Sequence, residues 1–172
     1  MTDVTPTTTN TTLVPDLGLS HDATGAVVKI LTTLLADENL LYMKLRKYHW
    51  NVIGPQFFQL HEAFEEQYDD LAEVIDETAE RIRQYGELAT GTLAEFAQDA
   101  RLEEQPGVNP DARTMVANLV ADHESMVRYL RSDIDTIDDH DDEGAEDFLI
   151  GLLQKHQKMA WMLRAMIEGP SL

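Results

Sequence analysis

The chain concentrates its chemistry in one stretch, "KYHWNVIGPQFFQLHEAFEEQYDDLAEVIDETAERI", residues 47–82. It holds His49 and His61, twelve positions apart, followed by two pairs at a spacing of four: His61 with Glu65, and Asp76 with Glu80. That spacing sets both members of a pair on one face of a helix, where they can share a cation. Imidazole and carboxylate ligation without sulfur suits Fe(II), Zn(II) or Mn(II), and affinity alone does not choose iron. On a wheel with Phe64 at the origin, His61 falls at about 60°, Glu65 at about 100°, Asp76 at about 120° and Glu80 at about 160°. All four therefore flank the apolar stripe on the same side.

The two half-sites cannot close on one ion within a chain. Glu65 and Asp76 are roughly 17 Å apart along the helix axis, whereas metal–ligand bonds are about 2 Å. A two-fold axis removes the conflict. If two copies of this helix cross antiparallel near residues 70 and 71, His61 and Glu65 of one copy face Asp76 and Glu80 of the other. Two identical sites then lie roughly 22 Å apart along the helix. Ala72, in the middle of that face, is small enough to permit close approach.

His49 enters from the preceding helix. The turn centres on Gly54-Pro55, so an antiparallel hairpin brings His49 level with His61. Opposite Asp76 and Glu80 on the first helix stand Leu34 and Ile30, which cannot ligate. The expected centre is His49, His61 and Glu65 from one chain, completed by Asp76 and Glu80 from its neighbour. The competing reading is a solvated acidic face edged by histidines. Agreement of five residues with one symmetry operation favours the shared centre.

Helices must hold these groups. Apolar residues recur at helical spacing through Val27, Leu31, Leu34, Leu41, Leu45 and Tyr48, up to the Gly54-Pro55 stop. A second stripe runs from Phe57 to about Tyr85 through Leu60, Phe64, Leu71 and Ile82. A long connection follows, with one short apolar patch, "TLAEFA". Asn109-Pro110 reads as an N-cap and first helical residue for a third helix through Leu119, His123, Leu130 and Ile137. The acidic turn "DDHDDEG" leads to a fourth, closed by Gly169-Pro170. Short turns join the first and last helix pairs, and the middle pair needs a crossover. The pattern predicts an all-α, ferritin-like four-helix bundle over residues 21–172, with a flexible Thr-rich arm at 1–20.

Composition narrows the function. Across 172 residues, 13 Lys and Arg oppose 32 Asp and Glu, a formal charge of −19. Such a surface attracts cations and repels nucleic acid and anionic membranes. With no cysteine, disulfides, thiolate metal sites and thiol nucleophiles are excluded. Neither a membrane span nor a signal peptide is evident, so a soluble cytoplasmic protein is expected. The Glu-x-x-His spacing of within-chain di-iron bundles is missing: Gly18, Arg46, Phe58, Val120, Ile137 and Leu153 stand three before the six histidines.

With its spacing preserved, "YHWNV-G--F--LH--FEE-Y--L----D--AERI" resembles the Dps family, the mini-ferritins named for DNA protection during starvation. "HQKMAWML" resembles that family's fourth helix, and the likeness covers about residues 22–168. The resemblance implies a hollow homo-dodecamer built from two-fold dimers. It implies ferroxidase centres shared between subunits, oxidation of Fe(II) to Fe(III) by hydrogen peroxide or oxygen, and storage of ferric mineral against oxidative damage. Carried onto this chain, the ligands are again His49, His61, Glu65, Asp76 and Glu80, with Glu65 where many members have Asp. Zinc is expected as a competing or resting metal. Trp50 matches a tryptophan beside the centre, which either handles an electron or is an ordinary interface aromatic. The acidic turn and the helix start after it imply an iron-entry pore with Asp138, Asp142, Glu143 and Asp147. His140 reads as a surface histidine and His123 as a satisfied core histidine; His21 and His156 carry no functional signal. DNA-condensing members use Lys- and Arg-rich tails, and this arm has none, so DNA coating is the disfavoured alternative.

Overall fold

The computed structural model describes residues 15–168. The Thr-rich arm up to position 14 and the Gly169-Pro170 stop lie outside the described residues. Five helices account for the rest: α1 (His21–Asn51), α2 (Phe57–Gln84), α3 (Leu93–Asp99), α4 (Ala112–Asp138) and α5 (Glu143–Ile167). No strand occurs among the described residues, and none of their helices is long and apolar enough to cross a membrane.

Every helix start except that of α2 carries a side-chain cap. Ser20 caps α1 by accepting from the Ala23 N–H at 3.1 Å, and Asp22 complements the positive end of the helix. Thr92 and Glu95 form a reciprocal capping box on α3. For α4 the cap is Asp111, not Asn109: its Oδ1 accepts from the Thr114 N–H at 2.9 Å, and Pro110 falls just before the cap. The α1–α2 turn passes through Gly54 at φ 117°, a conformation a side chain would oppose. Gly86, at φ 88°, ends α2 under the entering chain; a Cβ there would meet Pro15 Cδ at 2.7 Å.

Helix α1 packs along α2 and α4 along α5, with α1 also touching α3 and α4. The connection from α2 to α4 spans the bundle, the one-crossover arrangement expected from the sequence. It is pinned by a buried ion pair. Asp37, fully buried on α1, accepts from the backbone N–H groups of Arg101 (2.5 Å) and Leu102 (3.0 Å) and from Arg101 Nε at 2.7 Å. Arg101 Nη1 reaches Asp133 on α4 at 2.8 Å. Burial pushes the Asp37 carboxyl above its usual range, and the guanidinium opposes that rise. The apolar core runs the length of the bundle, from Val27, Leu31 and Leu34 to Leu149, Leu152 and Leu163.

Candidate metal centre

The hairpin of α1 and α2 brings His49 and His61 into a face-to-face stack, ring centroids 3.6 Å apart and planes 21° off parallel. Their hydrogen bonds are reciprocal. His49 Nδ1 lies 2.8 Å from the carbonyl oxygen of His61, and His61 Nδ1 lies 2.9 Å from the carbonyl oxygen of His49. A carbonyl only accepts, so each Nδ1 carries the hydrogen and Nε2 is the nitrogen left to face a metal. Backbone carbonyls fixing the far nitrogen is how proteins set imidazoles to bind metal.

One turn along α2, Glu65 completes the cluster. One ligand atom from each of His49, His61 and Glu65 lies within 4.8 Å of the other two. Among the described residues it is the one such group of three or more histidine or acidic side chains. His49 is 8 % exposed, while Glu65 faces solvent, so the site is a walled corner open on one side. Three ligands leave coordination positions for other groups.

Asp76 and Glu80 stand elsewhere. They are exposed on α2, outside this cluster, with Ala72 exposed between the two half-sites. Trp50 is 57 % exposed at the end of α1, and the Arg46 guanidinium lies 5.0 Å from its ring centre. The acidic turn divides: Asp138, Glu143 and Asp147 are exposed, but Asp142 is buried. Its Oδ1 caps α5 through the Ala145 N–H at 3.0 Å, and its Oδ2 accepts from the Tyr85 hydroxyl at 2.5 Å. Burial and that carboxylate push the Tyr85 phenol far above its usual range.

Sequence reasoning missed Tyr68. Its hydroxyl donates to Glu65 Oε1 at 3.1 Å, and its ring meets His49 edge-on at 5.3 Å. It therefore orients two of the three clustered ligands. The signal was available, because a residue three positions after Glu65 shares its helix face. Desolvation, then the Glu65 carboxylate, push the Tyr68 phenol above its ordinary value, which keeps the donor protonated.

A helical bundle with one crossover and an imidazole–carboxylate corner is the architecture of the ferritin-like proteins, and the Ferritin-like domain model matches residues 28–171. Within that class the chain belongs to the Dps family. It is 38% identical over 142 residues to DNA protection during starvation protein 2 of Bacillus anthracis, covering 83% of this chain and 97% of that one. It is 46% identical over 155 residues to a low temperature-induced protein of Nostoc sp., covering 90% and 87%. The crystal structure of a Vibrio cholerae Dps protein, described as a member of a superfamily of ferritin-like diiron-carboxylate proteins, superposes with a TM-score of 0.84. That match has 29% identity and covers 91% of this chain and 98% of that one.

Proposed function

We propose that this protein is a ferroxidase and iron-storage mini-ferritin, oxidising Fe(II) at a centre shared between two subunits and keeping the ferric product inside a twelve-subunit shell. The observation that carries the reading is the free Nε2 pair of His49 and His61 beside Glu65, a half-site with open positions. Asp76 and Glu80 of a two-fold neighbour supply the remaining oxygen ligands, as the helix spacing requires. The neutral imidazoles bind ferrous ion, and the added carboxylates favour the harder ferric product.

Two irons held together can each give one electron to a single hydrogen peroxide. The O–O bond breaks, both oxygens are reduced fully, and no hydroxyl radical is released. Oxygen is the slower alternative acceptor, and zinc a competitor for the same ligands. The −19 charge of each chain raises the local concentration of cations. Asp138, Glu143 and Asp147 are the exposed acids of the proposed entry pore; Asp142 is committed to its cap and to Tyr85. Trp50, whose ring lies 5.0 Å from the Arg46 guanidinium, is the proposed donor of an electron when only one iron is bound.

Stopped-flow mixing of the metal-free protein with Fe(II) and then hydrogen peroxide tests the proposal. Rapid ferric absorbance with no hydroxyl-radical adduct in a spin-trap assay is the expected result. Ferric absorbance no faster than in buffer would rule ferroxidase activity out.

A further inference from the structure

Each long helix sends one polar side chain into the middle of the bundle: Glu38 from α1, Gln67 from α2, His123 from α4 and His156 from α5. Glu38, His123 and His156 are fully buried, and Gln67 is 6 % exposed. They form one chain of contacts. Glu38 Oε1 lies 2.8 Å from His156 Nε2, the Nδ1 atoms of His156 and His123 are 2.9 Å apart, and His123 Nε2 lies 3.2 Å from Gln67 Oε1. None of the four belongs to the metal centre, and the proposed reaction uses none of them.

Geometry fixes the number of protons. The Gln67 carbonyl only accepts, so His123 carries a hydrogen at Nε2. Two bare nitrogen lone pairs cannot face each other at 2.9 Å, so one hydrogen sits between the Nδ1 atoms. A third occupies the contact between His156 and Glu38. Whether it resides on nitrogen or oxygen, the three titratable groups together hold three protons and no net charge. Nothing else compensates a charge there: the second oxygen of Glu38 has no hydrogen-bond partner.

Neighbouring charges face elsewhere. On α1, Asp37 turns to Arg101 and Lys44 to Asp122 of α4; Glu124 of α4 pairs with Arg164 of α5. On α2 and α5, Glu66, Asp70, Lys155 and Lys158 line a surface groove beyond Gln67. Burial, then the adjacent His156, hold the His123 ring well below the ordinary imidazole range.

We infer that this buried chain is an acid-operated latch, which ties the four helices together while one proton lies between His123 and His156 and releases them when a further proton arrives. A fourth proton either sets two donors against each other between the rings or, on Glu38, leaves the buried cluster with an uncompensated positive charge, and the closed core disfavours both. Unfolded histidine titrates near 6.5, about the pH below which the open chain takes up protons the closed core cannot. The closed core holds three protons on these groups; the open chain, with Glu38 ionised, holds two well above that value and more than three below it. The latch therefore stabilises most near that pH and progressively less as pH falls beneath it. The metal ligands need not titrate for the bundle to loosen.

Two measurements on the full-length protein test the latch. Solid-state nitrogen NMR of histidine-labelled protein at neutral pH should show His123 protonated at Nε2 and a single hydrogen between the Nδ1 atoms of the buried pair. A bare Nε2 on His123, or two hydrogens between the rings, would overturn the inference. Urea midpoints taken between about pH 7 and about pH 5 should fall steeply for wild type. The His123→Gln/His156→Gln double variant should show a shallower fall, whatever its absolute stability, and an unchanged slope would contradict the latch. If that variant does not fold, the wild-type spectra decide. The buried resonances should disappear together with the fold on acidification, and a pair that takes up a proton in the intact bundle would refute release.

Discussion

The rings of His49 and His61 each donate Nδ1–H to the backbone carbonyl of the other residue, at 2.8 and 2.9 Å. This exchange locks both tautomers before any metal arrives, and the 3.6 Å stack keeps the two rings side by side. Neither ring can turn its Nε2 away without breaking a hydrogen bond and the stack.

Replacing His61 with Ala therefore removes a ligand and also frees the His49 ring, which loses its stacking partner. Calorimetric titration of the metal-free protein with Fe(II) under anaerobic conditions should show affinity reduced by at least about 100-fold, the upper range for losing support of a ligand. Thermal stability should move little, because the corner is open to solvent.

Tyr68→Phe deletes only the hydroxyl that holds Glu65. An orienting group of this kind is worth about tenfold in metal affinity or activity. Initial rates of Fe(II) oxidation should fall by about that factor at unchanged melting temperature. A rate equal to wild type would mean that Glu65 needs no support.

Arg101→Leu strands the fully buried Asp37 with only two backbone N–H donors. Breaking a buried ion pair from one side costs about 3 kcal/mol. Urea denaturation should show a loss of that order, with the crossover between α2 and α4 the first region to gain hydrogen exchange. The proposed metal corner, at the C-terminal end of α1, should bind metal as before.

Each chain carries 13 basic residues against 32 acidic ones. Phosphate binding needs several cations to displace counter-ions, and affinity falls by about 0.9 log units per contact for each log unit of salt. Electrophoretic mobility of duplex DNA should not change at moderate salt in the presence of the metal-free protein. A stable retarded complex under those conditions would favour the nucleoid-coating alternative.

The stripes of Leu31, Leu34, Leu41 and Leu45, and of Leu60, Phe64, Leu71 and Ile82, made the hairpin legible from sequence, because a period near 3.6 has one structural meaning. The His49, His61 and Glu65 corner was legible for the same reason: its residues lie on adjoining turns of that hairpin. Caps were harder to place. Asn109 and Asp111 are both good caps two positions apart, and the backbone between them decides. Asp142 read as one more acid in a charged run, since nothing local signals Tyr85, 57 positions away, as its partner. The Glu38–His156 contact spans 118 positions. Contacts of that range depend on how four helices meet, which periodicity within any one of them does not encode. Acid neighbours Asp37 and Glu38 inside "LLADENLL" were the available hint, because buried charge demands a partner.

The central claim is that the centre is completed by a second subunit, and mixed assembly tests it directly. His61→Ala and Asp76→Ala variants should each be nearly inactive as ferroxidases. Dissociated, mixed and reassembled, they should recover roughly one quarter of the wild-type sites, because each mixed two-fold pair gathers both defects at one site and leaves the other whole. Absence of any recovered Fe(II) oxidation, in assemblies shown by mass spectrometry to contain both variants, would contradict a centre shared across the dyad.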